Sequence, residues 1–180
     1  MHYKILANAM IAGLLLAGQA HAAAPRDPAT AGGVSLQYGM DGDLQRLTLN
    51  YETPALWSYR FANSRVDLVG EFGVSYWRNH DAPGGSYDSL WQLSAIPMFQ
   101  WWLTPRFFVE AGIGATAFNH THIGTRHIGS AFQFGDHIGA GFQLTENARL
   151  GVRFSHFSNA RIKHPNDGLN SYQATLAVRW

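Results

Sequence analysis

From residue 34 onward, apolar and polar residues alternate with a period of two. Val34, Leu36, Tyr38 and Met40 are interleaved with Ser35, Gln37, Gly39 and Asp41. Leu47, Leu49 and Tyr51 stand against Thr48, Asn50 and Glu52. Val66, Leu68, Phe72, Val74 and Tyr76 stand against Asp67, Glu71, Gly73 and Ser75. Successive side chains of a strand point to opposite faces, so this period predicts strands with one apolar face. The parity returns in Trp91–Leu103, with Pro97 inside the run, and in Val109, Ala111 and Ile113. It continues through Phe132–Leu144, through Leu150, Val152 and Phe154, and through Tyr172–Trp180. About eight strands result, the smallest number found in a bacterial transmembrane barrel.

The connections carry a second pattern. Leu103–Arg106 and Leu144–Asn147 predict tight turns, whereas Asn79–Asp88, Asn119–Gly129 and Ala160–Ser171 are long and polar. Short and long links alternate after the third strand, as periplasmic turns and extracellular loops do. Thr53–Arg65 departs from this, being a long link on the short-turn side. Its Trp57, Tyr59 and Phe61 suggest an interfacial segment. The chain ends on an aromatic, Trp180, which closes an alternating strand and resembles the C-terminal signature of outer-membrane barrels.

The N-terminus changes the picture. Lys4, an apolar stretch over residues 5–17 and Ala20-His21-Ala22 fit a secretory signal peptide over residues 1–22, leaving 23–180 as the barrel domain. The apolar stretch falls short of the about 20 residues a spanning helix needs, and no later segment is long and apolar enough. A mature chain in a membrane would therefore be a closed barrel, because lipid cannot satisfy open backbone groups. The competing architecture is a soluble barrel with its apolar face inside. Aromatic strand ends and a polar opposite face favour the other assignment: an all-β, eight-stranded antiparallel transmembrane barrel of the outer-membrane type. Glu52, Asp67, Glu71, Glu110, Arg149, Arg153 and Arg179 fall on the inner parity and predict a polar, packed interior, so the barrel is not a pore. With no cysteine there is neither a disulfide nor a thiolate metal site, and a net charge of +1 argues against nucleic acid as a partner. A homodimer is one assembly left open.

Candidate chemistry lies at the end of the seventh expected strand. Leu150, Val152 and Phe154 set its apolar parity, and the next two positions of that parity are His156 and Ser158. Two positions apart on a strand, they point the same way, and serine needs a base such as histidine to become a nucleophile. The plainer alternative is a polar strand end in the headgroup zone.

The run Phe154-Ser155-His156-Phe157-Ser158-Asn159-Ala160-Arg161-Ile162-Lys163, followed by Pro165-Asn166-Asp167-Gly168, resembles the signature of the PagL family of lipid A 3-O-deacylases. The resemblance implies a cofactor-free serine hydrolase of the outer membrane that removes the 3-linked acyl chain of lipid A. It implies His156 as base and Ser158 as nucleophile. Asn159 and Asn166 match positions important for activity around the oxyanion, and Ala160 offers a backbone N–H there. Where the family's acidic member is expected, fourteen residues after the histidine, this chain has Asn170. An amide cannot stabilise an imidazolium as a carboxylate does, but it fixes the ring tautomer. Asn170 shares the outward parity of Tyr172 and is retained as the orienting residue. Outer-membrane phospholipase A also pairs His-x-Ser with a downstream Asn, so a phospholipase is an alternative, and a non-enzymatic structural or adhesive barrel is another.

Asp136 is a carboxylate on the apolar parity of the sixth strand, a costly place for one. If the turn at 145–147 pairs Leu144 with Ala148, Asp136 falls opposite His156 and becomes an alternative acid. A bulge would instead turn it inward. Arg161 and Lys163, with His164, lie where they would meet the phosphates of lipid A; an ordinary charged loop is the alternative. His120, His122 and His127 raise the question of a metal, but no carboxylate or cysteine accompanies them in the loop. A polar loop is the expectation, with no metal or cofactor.

Overall fold

The computed structural model describes residues 31–84 and 86–180, so the expected signal peptide lies outside the described residues. The elements are β1 (Gly33–Asp41), β2 (Leu44–Glu52), β3 (Trp57–Arg60), β4 (Arg65–Asn79), β5 (Ser89–Trp102), β6 (Phe107–Phe118), β7 (His122–Ile123), β8 (Arg126–His127), β9 (Phe132–Gln143), β10 (Ala148–Ser158) and β11 (Leu169–Arg179). One antiparallel sheet runs β2-β1-β11-β10-β9-β6-β5-β4-β3, and a further β2–β4 pairing closes it. Eight strands form the ring, and β3 and the β7–β8 hairpin stand outside it. Closure leaves no open edge in the ring, the condition for a sheet in lipid.

The outer parity is the apolar one. Leu93 is 62% and Val152 66% exposed, as are many of their neighbours in lesser degree. Such a surface is unfavourable in water and satisfied by acyl chains. Inside, the middle of the barrel is polar. Arg153 forks onto both oxygens of Glu71 at 2.7 Å and donates through Nε to Glu110 at 2.7 Å. Arg149 and Arg179 share Glu52, and Arg65 pairs with Asp67. Buried charges persist only when paired and hydrogen-bonded, and the expected inward residues supply those pairs.

The long connections 80–88, 119–131 and 159–168 gather at one end, here the loop end, together with the tight β1–β2 turn at 42–43; the opposite end carries the turns at 103–106 and 144–147 and the link 53–64. Just inside the loop end lies an apolar plug of Leu44, Trp77, Leu90, Phe118, Ile123, Ile128, Phe157 and Leu169. Ile123 and Ile128 come from the β7–β8 hairpin, which roofs the barrel and was not anticipated from the sequence. Arg46 bridges the two layers, its guanidinium 4.8 Å from the Phe157 ring and its Nη1 2.9 Å from Gln173 Oε1.

The irregular link on the turn side also finds a place. After Pro54 the chain resumes as β3, which pairs with Arg65–Leu68 of β4 just below the stretch occupied by β2. Bonds from Thr53 N to Gly70 O and from Leu56 N to Leu68 O bridge the break. Trp57 and Tyr59 register with Leu68 and Val66 and continue their outward stripe, with Phe61 packed edge-on against Tyr59.

Candidate active site

His156 and Ser158 occupy the outer face of β10 at the loop end, both half-buried. His156 is flanked in register by Asn170 of β11 on one side and Asp136 of β9 on the other. The Leu144 N to Ala148 O bond, 2.9 Å, fixes this alignment at the turn, so the register that brings Asp136 opposite the histidine is the one found.

The histidine ring is held from both sides. His156 Nδ1 lies 2.7 Å from Asn170 Oδ1. An amide oxygen only accepts, so Nδ1 carries the proton and Nε2 keeps its lone pair, the tautomer of a general base. Gly168, at φ +68°, passes so close that an added methyl would lie 3.0 Å from His156 Cε1. Asp136 is half-buried on the outer wall beside the ring, while the Nδ1 proton is taken by Asn170.

The loop after Ser158 turns at once. Ala160 and Arg161 both have positive φ, 52° and 63°, and Ile162 N bonds Asn159 O at 3.0 Å. Two consecutive left-handed non-glycine residues are strained and persist only when surrounding bonds fix them. Asn159 supplies those bonds. Its side chain is buried and donates to Ile128 O at 3.0 Å and Lys163 O at 2.9 Å, while its backbone N–H donates to Asn166 Oδ1 at 3.1 Å. Asn159 thus shapes the loop, its side-chain amide being bonded to Ile128 O and Lys163 O. Asn166, with Oδ1 engaged, presents Nδ2. Among the described residues neither that group nor the Ala160 N–H has a protein acceptor, which leaves two donors on the loop that follows Ser158. Arg161, Lys163 and His164 are exposed on the same loop. Below His156 a shallow apolar groove follows the wall, lined by Ile138, Ala140, Val152, Phe154, Tyr172 and Ala174.

His120, His122 and His127 do not converge on a point. Tyr87 stacks on His120 with centroids 3.8 Å apart and tilts against His122, which in turn stacks on His127. Among the described residues no group of three or more His, Asp or Glu is placed to hold a metal ion. The ties from Asn159 to Ile128 and the approach of Gly168 were not foreseen. Only isolated glycines mark them in the sequence.

A family profile described as Lipid A 3-O-deacylase (PagL) matches residues 33–179. The chain is 53% identical over 177 residues to the lipid A deacylase PagL of Bordetella bronchiseptica, covering 96% of this chain and 97% of that one. It is 34% identical over 172 residues to the lipid A deacylase PagL of Pseudomonas aeruginosa, covering 94% of each. The crystal structure of the outer membrane enzyme PagL matches with a TM-score of 0.72 and 30% identity, over 81% of this chain and 98% of that one. The Yersinia pestis outer membrane protein Ail shares the fold alone, with a TM-score of 0.51 and 14% identity over 84% of this chain and 99% of that one. An outer-membrane β-barrel with a His-x-Ser pair turned outward at its loop end, this chain belongs to the PagL family of lipid A 3-O-deacylases.

Proposed function

We propose that the chain hydrolyses the ester at the 3-position of lipid A as a serine esterase, with its substrate entering sideways from the outer leaflet. The observation that carries this reading is the bond from His156 Nδ1 to Asn170 Oδ1, which leaves Nε2 basic on the face that also bears Ser158. The acyl chain lies in the groove lined by Val152, Phe154 and Ala174. His156 Nε2 takes the Ser158 proton as Oγ attacks the ester carbonyl. The oxyanion that develops is met by Asn166 Nδ2 and the Ala160 N–H, donors that act in the transition state. The tetrahedral intermediate expels the sugar oxygen, which takes the proton back from His156, and leaves an acyl-serine. Water, deprotonated by His156, then releases the fatty acid and restores Ser158. All these groups come from one chain, so the chemistry does not require a homodimer. Asp136, on the other side of the ring, supports the imidazolium by its charge.

Mass spectrometry of lipid A from cells expressing wild type, Ser158→Ala and His156→Asn tests the proposal. The wild type should remove one 3-hydroxyacyl chain, and either variant should leave lipid A intact. A latent enzyme is excluded by repeating the assay in detergent; intact lipid A there as well would defeat the reading. Asn170 in place of an acid favours a second reading, a phospholipase. Release of fatty acid from phosphatidylethanolamine, but not lipid A, would select it.

Arg161 and Lys163 lie beside the site on an exposed loop, placed to hold phosphate groups of the substrate. The Arg161→Ala, Lys163→Ala double variant should raise KM for bisphosphorylated lipid A about tenfold with kcat retained. An unchanged KM would make them ordinary loop charges.

A further inference from the structure

The β7–β8 hairpin is too short to stand alone: two strands of two residues form one small ladder, and isolated hairpins are marginal even when longer. It is anchored from below. Ile123 and Ile128 are fully buried in the apolar plug. It is also anchored from the side, where Ser86 Oγ donates to Gly124 O at 2.6 Å and Tyr87 stacks on His120. Its other flank meets the loop that follows Ser158.

Three consecutive residues make that contact. His127 exchanges two bonds with Asp167: Asp167 N to His127 O at 3.0 Å, and His127 N to Asp167 Oδ2 at 2.7 Å. Ile128 O accepts from Asn159 Nδ2 at 3.0 Å and from Gln133 Nε2, a β9 side chain, at 2.9 Å. Gly129, at φ +73°, lies flush against the loop: a methyl there would meet Pro165 O at 2.1 Å, with Asn159 Nδ2 and Lys163 O next, both at 3.2 Å. These contacts bracket Asn166 and hold the residue that maintains the strained turn at Ala160 and Arg161. A loop with two left-handed non-glycine residues keeps its shape only under such constraint.

We propose that His127, Ile128 and Gly129 form a rail that fixes the 159–168 loop in its oxyanion-stabilising shape, making the hairpin a positioning element of the hydrolase. The proposal rests on the serine-esterase reading of His156, Ser158 and Asn166. Oxyanion donors act on the transition state, and a displacement of about 1 Å costs on the order of a hundredfold in rate. Loss of the rail therefore lowers kcat more than it raises KM: the acyl groove on the barrel wall is untouched, and only the loop cations Arg161 and Lys163 move with the loop.

Gly129→Ala is the decisive variant, and Gly42→Ala is its control. Gly42 has a similar φ of +61° with nothing within 4 Å of an added methyl, so it carries the backbone strain without the collision. Barrel folding is followed by heat-modifiable migration on gels, and deacylation is measured in detergent with purified lipid A. Gly129→Ala should lose about a hundredfold in kcat, with KM rising by no more than the roughly tenfold that loss of the loop cations would cause, while Gly42→Ala keeps the wild-type rate. If Gly129→Ala does not fold, Asp167 decides: Asp167→Ala should lose about tenfold in kcat, and Asp167→Asn, which retains an oxygen acceptor for His127 N–H, should recover it. Wild-type kcat in folded Gly129→Ala, or in Asp167→Ala if that variant must decide, overturns the rail. So does a defect confined to KM. Ser158→Ala runs alongside: an active Ser158→Ala defeats the esterase reading and the rail with it, whereas an inactive Ser158→Ala beside an unimpaired Gly129→Ala defeats the rail alone.

Discussion

At the scale of single residues, the site replaces a charge with an amide and keeps a charge nearby. Asn170 Oδ1 lies 2.7 Å from His156 Nδ1 and fixes its tautomer, but an amide cannot neutralise the imidazolium that the proposed mechanism forms. Asn170→Ala should therefore lower kcat by about 10²–10⁴-fold, since a ring free to flip loses the basic nitrogen, and Asn170→Asp should retain or exceed the wild-type rate. Asp136→Asn should lower kcat about tenfold with KM unchanged, and an unaltered rate would remove Asp136 from the mechanism. Steady-state kinetics on detergent-dispersed lipid A reads all three. The positions of these residues were legible in the sequence, because a strand's parity and one tight turn fix which side chains stand opposite. The part played by Asn159 was not legible. Its neighbours in the bonded network, Ile128 and Lys163, come from a loop roof and a strained turn that no periodicity describes.

At the scale of elements, the barrel wall is stitched from inside. Arg153 of β10 binds Glu71 of β4 across the lumen and Glu110 of β6, so three strands that are not neighbours in the ring meet in one buried network. Arg153→Met should destabilise the barrel by about 3–5 kcal/mol, because Glu71 and Glu110 lose the guanidinium that hydrogen-bonds them both. Denaturant unfolding of the refolded protein, followed by tryptophan fluorescence, measures this, and a loss under about 1 kcal/mol would mean the carboxylates find another partner. The eight ring strands followed from alternation alone. β3 and the β7–β8 hairpin did not: the first is a four-residue strand whose pairing exists only because β2 stops short, and the second owes its place to two isoleucines seated in a plug assembled from six other segments.

At the scale of the whole molecule, the closed interior and the outward site divide the work. The lumen holds the charged middle layer and the apolar plug, whereas His156 and Ser158 stand on the outer wall. The sidedness of His156 and Ser158 was legible in the alternation itself, because their parity continues that of Leu150, Val152 and Phe154. Sideways placement also determines what concentration means for this enzyme. On the proposed sideways entry its substrate is met by lateral encounter within a film, so the variable that sets the rate is the number of lipid A molecules per unit area, not per litre. Adding inert detergent at a fixed amount of lipid A should slow the reaction through surface dilution, and adding water should not. A rate that followed bulk concentration instead would mean that substrate reaches Ser158 from solution.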